Sequence, residues 1–354
     1  MTQAEVRLPT KNLHEDLPFY EGLGFRLDQI WPADDPAVAV ISGHGLRLRL
    51  EREAAEAPGT VRILGGDPRE PATAPSGVRV EFAAMEEDMG TPPTEHAFLS
   101  RRLTDRDPWV IGRAGMNYRD LIPDRLGGAI IASHIRILDE GPVPDMVHYH
   151  TVGFQLIFCH AGWVDLVYED QGPQFRLSAG DCVIQPPQIR HRVLHASEML
   201  EVIEIGVPAE HVTTIDHDMT LPTDAYRPDR EFSGQTFVHH KEAEATWAPW
   251  RLPGWTSRDT GIAKGTKGVA GVHVARPGGD AGWTTHDTDI LFSFVRSGTM
   301  SLENEAGEPL PLGPGDAFVI PPGFATRYAA PSDDLEILEV SLGAAFETKA
   351  VAAP

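Results

Sequence analysis

The 354-residue chain has only two cysteines, Cys159 and Cys182. Two thiols cannot build the disulfide framework of a small secreted scaffold. They read as inert core thiols. The alternative puts Cys159 in a pocket wall, since it shares strand parity with Gln155. A reducing cytoplasm is the expected location. The N-terminus, MTQAEVRLPTKNLHEDLPFY, lacks the charged-then-apolar pattern of a signal peptide. No apolar run approaches the ~18 residues of a membrane span. Basic residues are scarce: 30 Lys and Arg against 52 Asp and Glu give a formal charge of -22. Nucleic-acid phosphates and anionic membrane surfaces both need Lys and Arg, so neither is an expected partner. The acidity reads as solubility. A Ser-His-Asp arrangement, a GxGxxG and a P-loop are also missing, so no nucleotide cofactor is implied.

What is present points to β structure. An apolar share of 41% is enough for packed cores, and 34 Gly with 30 Pro suit a turn-rich β architecture. The expected organisation is a βαβββ unit over 1–90, a linker over 91–108, a β domain over 109–217, a second linker over 218–244 and a second β domain over 245–347.

In the first unit AEVRLP reads as a strand. NLHEDLPFYEGLGF reads as a helix capped by Asn12 and ending at Gly22 or Gly24. FRLDQIW, AVAVIS and LRLRLE are strands, with GHG as a tight turn. This order, with FYEGLGF, resembles one module of the vicinal oxygen chelate (glyoxalase/bleomycin-resistance) family over roughly fifty residues. Members of that family build a site from two modules, and one is evident here. The resemblance implies a structural or dimerising role, and a homodimer is expected in which a second subunit supplies the missing half. The family's ligand position has no clear His or Glu; Glu5 and Glu51 are nearest. Downstream, GVRVEFAA (Gly77–Ala84) reads as one more strand and EEDMGTPPTEHA as linker.

The remainder contains an internal repeat. DPWVIGRAGMNYRDLIP and GGAIIASHIRI recur as APWRLPGWTSRDTGIA and KGVAGVHVARP. Arg119-Asp120 matches Arg258-Asp259, His134 matches His273, His150 matches His286, Gly162 matches Gly298 and Gly180 matches Gly315. A short helix is expected near KEAEATW. Within each copy, runs such as AIIASHIRI, GFQLIFCHAG, WVDLVYED, HRVLHA and LEVIEIGV fit a small antiparallel barrel or jelly roll.

Chemistry concentrates in GPVPDMVHYHTVGFQLIFCHAG and GDCVIQPPQIRHRV. His148 and His150 are two apart, so on a strand they share a face. With Gln155 and His191 they could hold one divalent metal and leave positions open. These stretches resemble the two motifs of the cupin superfamily, and their tandem repetition makes Trp109 to Phe346 look like a bicupin. The resemblance implies a mainly β fold of two tandem cupin jelly-roll barrels behind the small α+β module. It makes His148, His150, Gln155 and His191 the metal ligands, with Gln155 where many members carry Glu. Four neutral ligands leave the full charge on the metal, which favours an anionic substrate and Lewis-acid behaviour. Cupins with three His and a Gln include isomerases and cyclases, whereas the dioxygenases usually show Glu or no fourth ligand.

In the second copy Thr284 replaces the first His, His286 keeps the second, Leu291 replaces Gln155 and Thr326 replaces the last His. One histidine cannot hold a metal, so this domain reads as a structural partner or a lid. His134 and Arg136 share parity on AIIASHIRI, and Arg136 could bind a substrate carboxylate. His195 shares parity with His191 and could act as an acid/base. Tyr149 faces the other way. Three readings stay open: a Lewis-acid enzyme acting on an enolisable keto acid, sugar acid or phenolic; an Fe(II) dioxygenase on the same ligands; and a non-catalytic small-molecule binder. Fe, Zn, Mn and Ni all suit the donor set.

Overall fold

β-Branched and aromatic runs punctuated by Gly and Pro become short strands. The computed structural model of the chain describes residues 3–10, 12–22, 24–43, 45–52, 54, 60–64, 70–73, 79–85, 90–105 and 109–354. In it these strands build two jelly-roll barrels in tandem behind a small α+β unit. That unit runs β1 (Gln3–Pro9), α1 (Leu13–Gly22), β2 (Arg26–Trp31), β3 (Val38–Gly43) and β4 (Leu46–Glu51). The Asn12 side chain caps α1 by accepting from the His14 N–H at 3.0 Å. The sheet order is β2, β3, β4, β1, with β1 and β4 parallel, and Thr60–Leu64 and Arg79–Ala83 extend it past β1. His44 of the expected turn, Gly77 and Val78 of the expected strand, and 86–89 of the expected linker lie outside the described residues. Glu5 accepts from Arg47 at 3.3 Å and Glu51 from Arg7 at 2.7 Å, so each carboxylate has its own guanidinium.

The smaller sheet of the first barrel has the order Phe175–Ser178, Trp163–Tyr168, His191–Ala196, His148–His150, Thr213–Ile215. The second barrel repeats it with Gly307–Leu312, Met300–Asn304, Thr326–Ala329, Thr284–His286 and Thr348–Ala350. His148 stands opposite His191 as Thr284 stands opposite Thr326. One expected match shifts by a residue. Arg119 pairs with His134, but Arg258 pairs with Val274, so His273, opposite Asp259, corresponds to Ser133.

The two larger sheets pack face to face. Alternate residues of each strand point outward from their own barrel, so Phe154, Leu156, Phe158 and Ile203 share one core with Val272, Phe292, Phe294 and Val340. The contact is reciprocal: Arg119 donates to the Gly315 carbonyl at 2.5 Å, and Arg258 to the Gly180 carbonyl at 2.9 Å. The expected linkers take part in the sheets. Leu99–Arg101 pairs with Ala317–Ile320 of the second barrel, and Val238–His240 with Cys182–Ile184 of the first. The expected helix near KEAEATW is one 3-10 turn, Glu242–Glu244. Both cysteines are free and fully buried, which pushes each thiol up to about 12.

The N-terminal unit joins the first barrel edge to edge. β2 pairs with Thr213–Ile215, putting Ile30 opposite Thr213, and Trp31, Val38 and Val40 pack on Val212. In the second barrel the matched strand, Thr348–Ala350, ends its sheet.

Candidate metal centre

His148 and His150 leave one strand on the same face, and His191 arrives from the strand opposite. Their ring centroids are 5.1 Å (His148–His150), 4.2 Å (His148–His191) and 5.2 Å (His150–His191) apart. One nitrogen from each lies within 4.8 Å of the other two, and all three rings are buried. Each Nδ1 already has a partner: the Met146 carbonyl at 2.7 Å, Thr213 Oγ1 at 2.9 Å and the Ile189 carbonyl at 3.0 Å. A carbonyl only accepts, so Nδ1 of His148 and His191 carries the proton and Nε2 keeps its lone pair. Burial pushes His148 down to about 4, and burial with the neighbouring imidazoles holds His150 and His191 well below the usual range. The rings are therefore neutral at pH 7, the form that binds a metal.

Gln155 faces the barrel interior from the same row as Ile157. Its Nε2 donates to Glu204 Oε1 at 2.6 Å, and its Oε1 is buried with no hydrogen-bond partner among the described residues. Nε2 of His148 is orphaned in the same way. A buried, orphaned imidazole nitrogen whose ring stands with two further neutral imidazoles is a set of the kind a cation satisfies, so the three histidines fit a divalent metal.

The histidines line a cavity of about 70 Å³ with Ile135, Ile157, Val164, Leu166 and Val202 as apolar walls, and with Arg113, Tyr118, Tyr168, Gln185 and Glu204 as polar groups. Glu204 and Arg113 are functional candidates that reading the sequence missed. Burial pushes the Glu204 carboxyl up, against the hydrogen bond from Gln155 and the charge of Arg113. Arg113 sits in a 3-10 turn, Arg113–Gly115, in which Ala114 has φ 54. It ion-pairs with Asp145, and its Nε has no partner among the described residues. Asp145 also accepts from the Val193 N–H at 2.9 Å and lies 3.6 Å from His148 Nδ1. Burial alone would raise the Asp145 carboxyl, but Arg113 and His148 bring it down to about 2.

The structure does not bring His195, Arg136 or His134 to this cavity. The pairing of His191–Ala196 with Trp163–Tyr168 runs Val193 to Leu166 and then His195 to Asp165, so Leu194 is an extra residue. That bulge reverses the parity and turns His195 outward, where it stacks on Trp163 at 5.7 Å. On Ile131–Ile137 it is Ile135 and Ile137 that line the cavity. His134 and Arg136 point the other way: His134 meets Glu201 at 2.7 Å and Phe294 of the second barrel at 5.7 Å, and Arg136 meets Glu201 at 2.9 Å. Tyr149 faces away from the histidines, under the Arg190 guanidinium at 4.2 Å. Cys159 belongs to the apolar core of the first barrel.

In the second barrel His286 Nε2 is bonded to the Ile320 carbonyl at 3.1 Å, and Arg251 grips the buried Glu339 carboxylate through Nε at 2.8 Å and through Nη2.

A family model described as a cupin domain matches residues 271–341, within this second barrel. Among curated proteins none matches. Among solved structures the chain is similar to oxalate decarboxylase from Bacillus subtilis, at 11% identity and TM-score 0.52, over 73% of this chain and 81% of that one. It is also similar to oxalate decarboxylase from Lactobacillus farciminis in a formate complex, at 11% identity and TM-score 0.53, over 72% and 89%. At such identity the likeness shows the fold, which is that of a bicupin. Among the described residues no helix is long and apolar enough to cross a membrane.

Proposed function

We propose that the protein is a mononuclear divalent-metal enzyme that acts on a small, oxygen-rich, anionic substrate by Lewis-acid chemistry of the isomerase, cyclase or lyase type. One observation carries this reading: three neutral imidazoles converge within 4.8 Å in a cavity that also holds Glu204 and Arg113. His148, His150 and His191 would hold the ion, with Gln155 Oε1 as the fourth donor. When bound, the metal supplies Lewis acidity toward a substrate oxygen. Arg113, through its unpaired Nε, binds and orients the anionic end of the substrate. Glu204 Oε1 is engaged by Gln155, so Oε2 is the atom that takes and returns a proton. Its raised pKa brings that exchange nearer neutral pH. The apolar walls exclude water from the site. His134, Arg136 and His195 have no part in this reading.

A second reading, an Fe(II) dioxygenase, uses the same all-neutral, nitrogen-rich donor set, which also suits iron. The experiment is a panel of keto acids, sugar acids and phenolics offered to the metal-loaded full chain with and without oxygen. Turnover that survives anaerobically supports the first reading, and a strict need for oxygen supports the second. A physiological output unchanged in His148→Ala and His191→Ala would remove both and leave a non-catalytic binder.

A further inference from the structure

The cavity of the first barrel is not made by that barrel alone. Ala33, from the turn between β2 and β3, is one of its lining residues. Three contacts seat that turn. The Arg113 N–H donates to the Ala33 carbonyl at 3.3 Å. Gly112 lies so close beneath that an added Cβ would stand 2.8 Å from the same oxygen. Asp34 is buried, and its Oδ2 accepts from Arg125 of the first barrel at 2.5 Å. The ladder from β2 to Thr213–Ile215 holds the turn from behind, since Ile30 pairs with Thr213 and Thr213 with His150. Ala33 is also small beside other residues of the lining, such as Met116, Tyr118 and Leu200, so a larger side chain at position 33 takes its volume from the cavity.

We propose that the turn between β2 and β3 is the specificity wall of the metal cavity: Ala33 sets how long a carboxylate ligand the site admits, and Asp34, through Arg125, is the positioning residue that keeps the wall in place. This rests on the metal reading above. The wall acts within one chain, so the N-terminal unit completes the site without a second subunit. The mechanism is steric: a larger side chain at 33 excludes long ligands from a cavity of about 70 Å³ while leaving the imidazoles untouched.

The test uses the Co(II)-loaded full-length chain, with formate, acetate and butyrate titrated against its visible spectrum. Ala33→Phe is expected to weaken butyrate by about tenfold or more and formate by less than about threefold, with Co(II) uptake unchanged. Ala33→Gly, which adds no atoms and keeps the test open should the larger variant misfold, is expected to shift the preference toward butyrate. Asp34→Asn is expected to flatten the length preference without loss of metal. Formate and butyrate changing by one common factor, or not changing at all, overturns the wall. If the wild-type chain takes up no Co(II), or its ion takes no carboxylate, the proposed function fails separately. The wall is then read from Ala33→Cys, because the native thiols are buried and silent. Labelling by methyl methanethiosulfonate but not by a bulky maleimide supports it, and labelling by both or by neither overturns it.

Discussion

Glu204 and Glu339 occupy matched positions in the two barrels, Glu204 opposite Ile157 and Glu339 opposite Ser293, yet only Glu339 is held in an arginine fork. The arginines match as well. Arg113 and Arg251 each lie two residues past a short strand that pairs in the same way, Val110–Ile111 and Ala248–Pro249. In the second barrel Arg251 turns onto Glu339 and an ion pair occupies the interior. In the first, Arg113 turns onto Asp145, and Glu204 is left facing the histidines.

Glu204→Gln is therefore expected to keep its metal and to lose turnover by about 10²-fold or more, the usual scale for removing a general acid or base. Glu339→Gln should leave turnover unchanged. Steady-state kinetics on the substrate found in the panel, with metal content measured on the same samples, checks both.

Arg251→Ala strands a buried carboxylate and should destabilise the chain by about 3–5 kcal/mol in urea denaturation. Replacing both partners with apolar residues, Arg251→Met with Glu339→Leu, should recover most of that loss. A loss below about 1 kcal/mol in the single variant would mean that the pair is not buried as described.

The His-x-His stretch and the tandem repeat were legible because both depend on fixed spacing, and a strand converts a spacing of two into a shared face. His195 was misplaced because parity holds only along an unbroken strand, and the bulge at Leu194 is decided by pairing with Asp165 and Leu166, far away in the chain. Arg113 was invisible to the same rule because it sits in a turn, where no periodicity applies. Glu204 did leave a signal: LEVIEIGV carries two carboxylates three apart, Glu201 and Glu204, so on a strand they face opposite sides, and the matching strand EILEVSL repeats that spacing with Glu336 and Glu339. The attachment of β2 to the first barrel, and of the linker segments to both, left no local mark. Edge pairing depends on which edges meet, not on which residues form a strand.

Arg119 and Arg258 are the reciprocal clasps between the barrels. Arg119→Met and Arg258→Met should each cost about 1.5–3 kcal/mol, the scale of a hydrogen bond from a charged group. The double variant should show two separated unfolding transitions in calorimetry where the wild type shows one.

His160 gives the barrel interface a pH dependence. It lies against Phe294 at 5.0 Å, its Nδ1 has no partner among the described residues, and burial followed by the charge of His134 pushes it down to about 4. The unfolded chain protonates this residue near pH 6.5 and the folded chain does not until about 4. Stability should therefore fall as pH drops from 6.5 to 4, by up to about 3 kcal/mol from this residue. His160→Leu should remove this residue's share of the slope and leave the share of the other buried imidazoles, His148 among them. Glu201 titrates lower. Burial opposes its ionisation, but His134 and Arg136 bring it down to about 2, so its stabilisation is lost between about 4.5 and 2. Urea midpoints measured across pH separate the two windows.

The most direct test of the metal centre is elemental analysis of protein purified without added metal, wild type beside His148→Ala/His191→Ala and Thr284→Ala/His286→Ala. About one first-row divalent ion per chain is predicted in the wild type and in the second-barrel variant, with none in the first-barrel variant. Metal retained after both His148 and His191 are removed, or absent from a folded wild-type chain even after it is offered iron, zinc, manganese and nickel, would contradict the assignment.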